Sequence, residues 1–129
     1  MWRYHAVHHS IEELNAVNSY HHISEPLLQW IGIGLPASLI VSDSGVTVPI
    51  IAVIIHLNAS FIHLPMRVSF GPLRAVFCDN RFHWIHHSLE TRHFDGNFGA
   101  FTTLWDRFFS TAWFPIDAEW PDIGLAGVG

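Results

Sequence analysis

The pattern His-x-x-His-His occurs twice, as His5-Ala6-Val7-His8-His9 and as His83-Trp84-Ile85-His86-His87. On a helix, positions i, i+3 and i+4 share one face, so each copy can aim three imidazoles at one point. Neutral imidazole serves iron, zinc and copper alike. Protonated, six clustered imidazoles would repel one another; a metal removes the repulsion by requiring the neutral form. The chemistry implied is that of a polyhistidine metal site.

The chain has eleven histidines, and the other five carry different weight. His22 lies in Tyr20-His21-His22-Ile23-Ser24-Glu25, just before an apolar run. His56 and His63 are seven residues apart and so lie on nearly the same helix face, two turns from each other. His63 can reach the level of the two boxes. His56, about 10 Å deeper at helical rise, is expected to support the ligands or line a substrate channel. His21 and His93 read as solvated loop histidines.

Candidate ligands are therefore His5, His8, His9, His22, His63, His83, His86 and His87. Eight imidazoles approach what a dinuclear centre needs, at about four or five positions per ion less those kept open for water or dioxygen. Glu25, Asn97 and Asp106 are candidates to orient the ligands' other ring nitrogens, with capping and turn formation as their structural alternative. The single Cys78 excludes disulfide scaffolding, iron–sulfur clusters and zinc ribbons. No Ser/His/Asp ordering, phosphate-cradling glycine loop or dinucleotide fingerprint is present.

Two apolar runs separate the boxes, at residues 26–41 and 46–64, joined by the turn signal Asp43-Ser44-Gly45. At helical rise they measure about 24 and about 28 Å, against a hydrocarbon core of about 30 Å. Together they read as a transmembrane helical hairpin, with a buried hairpin in a soluble protein as the alternative. Arg3 precedes the first run, Arg67, Arg74, Arg81 and Arg92 follow the second, and the turn carries no basic residue. By the positive-inside rule both boxes lie on the cytoplasmic side. The fold expected is all-α: one domain over 1–129, an integral membrane hairpin with a cytoplasmic helical cap over 65–115 that carries a histidine box. Ser10-Ile11-Glu12-Glu13 has capping-box form and predicts a helix restart. Leu104-Trp105-Asp106-Arg107-Phe108-Phe109 predicts an amphipathic aromatic segment suited to the headgroup level. Gly32-Ile33-Gly34 predicts close helix packing, and the tail after Pro115 predicts poor order.

Half the residues are apolar and 13% are charged, against about 25% charged in ordinary soluble domains. The net charge of −5, with no lysine and no basic tract, leaves nothing to recruit nucleic acid.

The combination of Trp2-Arg3-Tyr4-His5-Ala6-Val7-His8-His9-Ser10, Phe61-Ile62-His63, Phe70-Gly71-Pro72-Leu73-Arg74 and Arg81-Phe82-His83-Trp84-Ile85-His86-His87-Ser88 resembles the fatty acid hydroxylase / sterol desaturase superfamily. Asn97-Phe98-Gly99 and Leu104-Trp105-Asp106-Arg107 resemble its closing signatures. The resemblance implies a membrane-bound oxygenase with two non-haem iron ions, zinc being able to replace iron on purification. Such an enzyme hydroxylates or desaturates a sterol, fatty acyl or related lipid with dioxygen and two electrons from a cytochrome b5 or ferredoxin-type donor. His5, His8, His9, His83, His86 and His87 match the family's two boxes, His22 the histidine that precedes a glutamate after the first, and His63 the one before the second. Leu64-Pro65 stands where an Ala-Asn pair is common. The family's earlier His-x-x-x-His motif is not in the sequence, so the chain is expected to be a C-terminal portion of a longer protein. The competing functions are a membrane haem or metal-binding protein, with His56 and His63 as axial ligands, and an inactive truncated relative.

Overall fold

The computed structural model describes residues 2–15, 17, 21, 22, 24–40 and 47–125. Among them every regular element is helical, with only isolated bridges between Phe77 and Thr102 and between Ser88 and Ile123. The first box forms helix α1, Trp2–His9. Ser10 closes it, its hydroxyl donating to the Val7 carbonyl at 2.8 Å. That bond occupies the side chain the capping-box reading needed, and no helix restarts at 10–15.

The first apolar run is helical in three successive pieces: α2 at Ser24–Gln29, a π-helical turn at Trp30–Gly34, and α3 at Leu35–Ile40. The glycine pair does not mark close helix packing. A Cβ on Gly32 would meet nothing within 4 Å, and one on Gly34 would meet the indole of Trp30, in the same turn, at 3.2 Å. The second run is α4, Thr47–Ile62. Its 16 residues span about 24 Å. Among the described residues no helix is long and apolar enough to cross a membrane. The turn expected at Asp43-Ser44-Gly45 lies outside the described residues.

After α4 the chain runs through a 3-10 turn, Gly71–Ala75, into α5, Asn80–His86, which carries most of the second box. Asp79 caps α5, its carboxylate accepting from the Phe82 amide at 2.9 Å and from the Phe70 amide at 3.1 Å. Asn80 accepts from the Val68 amide at 3.1 Å and donates to the Leu64 and Met66 carbonyls. These two buried side chains fold the 64–70 link back against α5, so the end of α4 and the start of α5 are held together.

The core is small and built around α5. Phe82 packs with Ile62 and Cys78, while Trp84 packs with Leu14 and Ile123. The tail after Pro115 is not loose as far as residue 125. The Trp84 indole donates to the Pro121 carbonyl at 2.9 Å and stacks on Trp120 at 4.1 Å. The Leu89 amide reaches the Asp122 carbonyl, and the Gly124 amide reaches that of His87. Helix α6, Leu104–Phe109, buries Asp106 and exposes Trp105, Phe108 and Phe109.

Candidate metal centre

The structure brings the six box histidines together with His63, but not as one three-imidazole point per box. On a helix, residues i and i+4 differ by about 40° and i+3 points about 60° the other way. Each box is accordingly split. His83 and His87 meet His8 and His63 in one group; His5 and His9 meet His86 in another. The i, i+4 pair of each box thus takes its extra partner from the i+3 position of the other.

In the first group the ring Nε2 atoms converge. His8 and His63 stand 3.0 Å apart, His63 and His83 3.0 Å, and His83 and His87 3.2 Å. In the second, His86 Nε2 is 3.4 Å from that of His5 and 3.2 Å from that of His9. Nitrogens around one tetrahedral ion at about 2.0–2.1 Å stand about 3.3 Å apart. The spacing fits a shared cation.

Hydrogen bonding sets the tautomers that such binding requires. His63 donates from Nδ1 to the Ala59 carbonyl at 2.6 Å, one helical turn back on α4. His86 donates from Nδ1 to the Gly96 carbonyl at 2.9 Å, and His5 from Nδ1 to both oxygens of Glu25 at 3.3 Å. A neutral imidazole carries one hydrogen, so the Nε2 of all three is a lone pair facing its group.

Burial reinforces the neutral form. It lowers His8 to about 2 and His9 to about 3, with repulsion from neighbouring imidazoles adding to it. His83 and His87 are held well below the usual value for the same reasons. His86 is lowered by burial against the opposing effect of its bond to Gly96. These five rings are therefore held as neutral nitrogen donors, the form that binds a metal. No protein partner meets the buried Nδ1 atoms of His8, His83 and His87 among the described residues.

The remaining predicted residues fall differently. His22 joins neither group: its Nδ1 is engaged by the Ser24 hydroxyl at 2.8 Å and amide at 3.2 Å, at the start of α2. His21 occupies the place expected for it, stacked on His8 at 4.0 Å and bonded through Nδ1 to Glu25 at 2.9 Å. His21 is exposed in a loop, as the sequence reading has it, while making these two contacts. Glu25 orients His5 directly. Asn97 and Asp106 touch no imidazole. They brace the loop that presents the Gly96 carbonyl: Asn97 bonds the backbone of Phe82 and Trp113, and Asp106 accepts from the Phe98 and Gly99 amides. Asn97 does so at a positive φ of 54°, which asparagine tolerates better than most residues. His93, by contrast, is not solvated; it is buried between Ser88 and Glu119.

Residues of both imidazole groups line a cavity of about 1300 Å³ together with Ile51, Ile54 and Ile55 of α4 and with Phe98 and Phe101. His56 lines this cavity and belongs to neither group. The arrangement sets a cation-binding pole beside an apolar slot, the layout needed to hold a hydrocarbon next to a reactive metal.

Comparison with known proteins agrees with that layout. The model of the fatty acid hydroxylase family matches residues 1–111, and the chain belongs to this family. It is 30% identical over 137 aligned residues to the ornithine lipid hydroxylase OlsE of Rhizobium tropici, covering 98% of this chain and 38% of that protein. It is 28% identical over 115 residues to the alkylglycerol monooxygenase of Danio rerio, covering 86% of this chain and 24% of that protein. The chain thus spans well under half the length of either relative. No solved structure matches it. One relative is named a hydroxylase and the other a monooxygenase; among the described residues of this chain the histidine clusters could hold a metal ion.

Proposed function

We propose that this chain carries the metal-binding part of a non-haem di-iron oxygenase that inserts oxygen into a C–H bond of a lipid, using dioxygen and two external electrons. The observation that carries this reading is the exchange between the boxes, by which seven imidazoles form two adjacent groups of converging Nε2 atoms. His8, His63, His83 and His87 would hold one ion, and His5, His9 and His86 the other, with room for His21 or an external oxygen ligand beside His5. Bound there, iron supplies the oxidising power that an unactivated C–H bond requires. The protein would position the substrate chain against Ile51, Ile54, Ile55, Phe98 and Phe101, and burial favours the neutral form of His8, His9, His83, His86 and His87.

Of the family's reactions, hydroxylation is favoured over desaturation because the relatives above are named a hydroxylase and a monooxygenase. Membrane association is supported by the unpacked apolar surface of α4, where Ile50, Val53 and Leu57 are 52%, 57% and 62% exposed. The arginines that flank the apolar runs support, by the positive-inside rule, a cytoplasmic side for the histidine groups, where a cytochrome b5 or ferredoxin-type donor would reach them. The test is anaerobic loading with ferrous iron, followed by oxygen, a reductant and membrane lipid extract. Two irons per chain and an oxygen-dependent gain of one oxygen atom in a lipid are expected. Iron binding at the level of a histidine-depleted variant would overturn the reading.

A further inference from the structure

We propose that His5, His21 and Glu25 form an outer metal site, from which an ion is loaded into the buried group of His5, His9 and His86. This rests on the metal-centre reading above and adds to it the route by which buried ligands are filled.

The three residues come from α1 and from the start of α2. Nδ1 of His21 lies 2.9 Å from Glu25 Oε2, and Nδ1 of His5 lies 3.3 Å from each Glu25 oxygen. A ligand atom from each of the three lies within 4.8 Å of the others. Atoms bound to one ion at about 2.0–2.2 Å stand about 3 Å apart, so the carboxylate is already at ligand spacing from both rings. Two imidazoles and one carboxylate form a ligand set that iron(II) accepts with its other positions open. His22, next in the chain, is turned to Ser24 instead.

This group differs from the two inner ones in charge and in exposure. The inner groups offer imidazole alone, whereas Glu25 supplies a negative charge that attracts a hydrated dication. The His5 and His21 side chains are 31% and 32% exposed, while His8, His9, His83 and His87 are buried. An ion that passes straight from water into buried imidazoles sheds its hydration before any opposite charge offsets the loss. At the outer group it gains a carboxylate while water stays on its open positions. His5, His21 and Glu25 line the same cavity as His9 and His86, so the transfer follows the cavity wall.

His5 belongs to both groups and links them. Its Nδ1 faces Glu25, and its Nε2 lies 3.4 Å from Nε2 of His86. A neutral ring carries one hydrogen. An ion on Nδ1 displaces that hydrogen, and one is taken up from water at Nε2, facing His86. When the ion exchanges Glu25 and His21 for His9 and His86, the hydrogen returns to Nδ1 and to its bond with Glu25. No net proton is released or consumed, and only ligand bonds change. The two positions exclude each other at His5, so the outer ion is a loading stage and not a third resident ion.

Cobalt(II), whose visible bands report its ligands, is the first probe. His86→Ala breaks the inner group and leaves the outer one intact. Titration of that chain should show one weakly held cobalt besides the ion of the His8 group, lost on desalting and absent when His21→Ala is added. Identical titrations with and without His21 would overturn the proposal. Zinc added to the same His86→Ala chain, with labelled histidine, should move the nitrogen resonance of His21 Nδ1. A shift at Nε2 of that ring, or none, contradicts the site, and this measurement needs no substitution at His21. With both inner groups intact, wild type and His21→Ala should each retain two cobalt ions after long incubation, the second taken up about 10-fold more slowly by His21→Ala. Equal rates, or three ions retained by the wild type, count against loading through His5. If the wild type retains no cobalt after desalting, the metal-centre reading fails, and the zinc resonance alone decides the outer site.

Discussion

His5 and His86 face each other with Nε2 atoms 3.4 Å apart, and each ring turns its Nδ1 to another partner. The hydrogen of His5 is committed to Glu25 and that of His86 to the Gly96 carbonyl. Two lone pairs at this distance repel unless a cation lies between them. Glu25→Gln weakens the hold on the His5 tautomer, and losing such a supporting partner typically weakens metal binding by about 10- to 100-fold. Iron titration of the variant should show one weakened ion and one unchanged. Two unchanged ions would mean that Glu25 only caps α2.

The exchange between boxes assigns each ligand to a particular ion. His86→Ala should remove the ion held with His5 and His9, while His83→Ala should remove the one held with His8 and His63. His56→Ala, in the cavity wall, should keep both. Iron per chain, counted on folded protein, checks this. Loss of both ions from His86→Ala alone would show that the two groups bind as one unit.

Acid should destabilise the metal-free chain. Burial lowers His8 from 6.5 to about 2 and His9 to about 3, with His83 and His87 also depressed. Above the unfolded value both states are neutral and pH has no effect through these groups. Below it the unfolded chain binds protons that the folded chain refuses, so stability falls as pH falls. The slope reaches about 1.4 kcal/mol per pH unit for each such histidine, and flattens only below the folded values. Melting temperature should drop steeply between about pH 6.5 and about pH 4. A flat profile would show that the rings are not buried as a set.

Gly99 is irreplaceable for a local reason. A Cβ there would stand 2.3 Å from the Thr102 carbonyl oxygen and 2.8 Å from Asp106 Oδ2. Gly99→Ala should destabilise the chain by about 2 kcal/mol or more and loosen the loop that presents the Gly96 carbonyl to His86. Gly32→Ala, which meets nothing within 4 Å, serves as the near-neutral control. Equal melting temperatures would contradict the crowding at Gly99.

Residues whose role depends on local periodicity were legible in the sequence, and those placed by long-range contacts were not. The i, i+3, i+4 spacing singles out the box histidines because helix geometry is local. The division of each box between two groups depends on how α1 and α5 cross, which no single box encodes. His21 and His22 are adjacent, so sequence alone could not tell which one contacts the box histidines; the spacing of His21 four residues before Glu25 was the available signal. The Gly96 and Ala59 carbonyls are backbone atoms and carry no residue signature. The C-terminal segment looked loose because it is rich in glycine and alanine, yet its hold on α5 comes from backbone bonds and one indole stack. His93 looked like a surface histidine because its partners, Ser88 and Glu119, come from separate parts of the chain.

The four imidazoles of the His8 group come from segments far apart along the chain, brought to one spot beside a core of only a few side chains. An ion bound there would act as a crosslink, closing the loops between α1, the end of α4 and α5 that the small core must otherwise hold shut against chain entropy. Its binding free energy would then be largely folding free energy. The ion would govern how long the chain survives as well as what it oxidises, and iron supply would set the protein's lifetime.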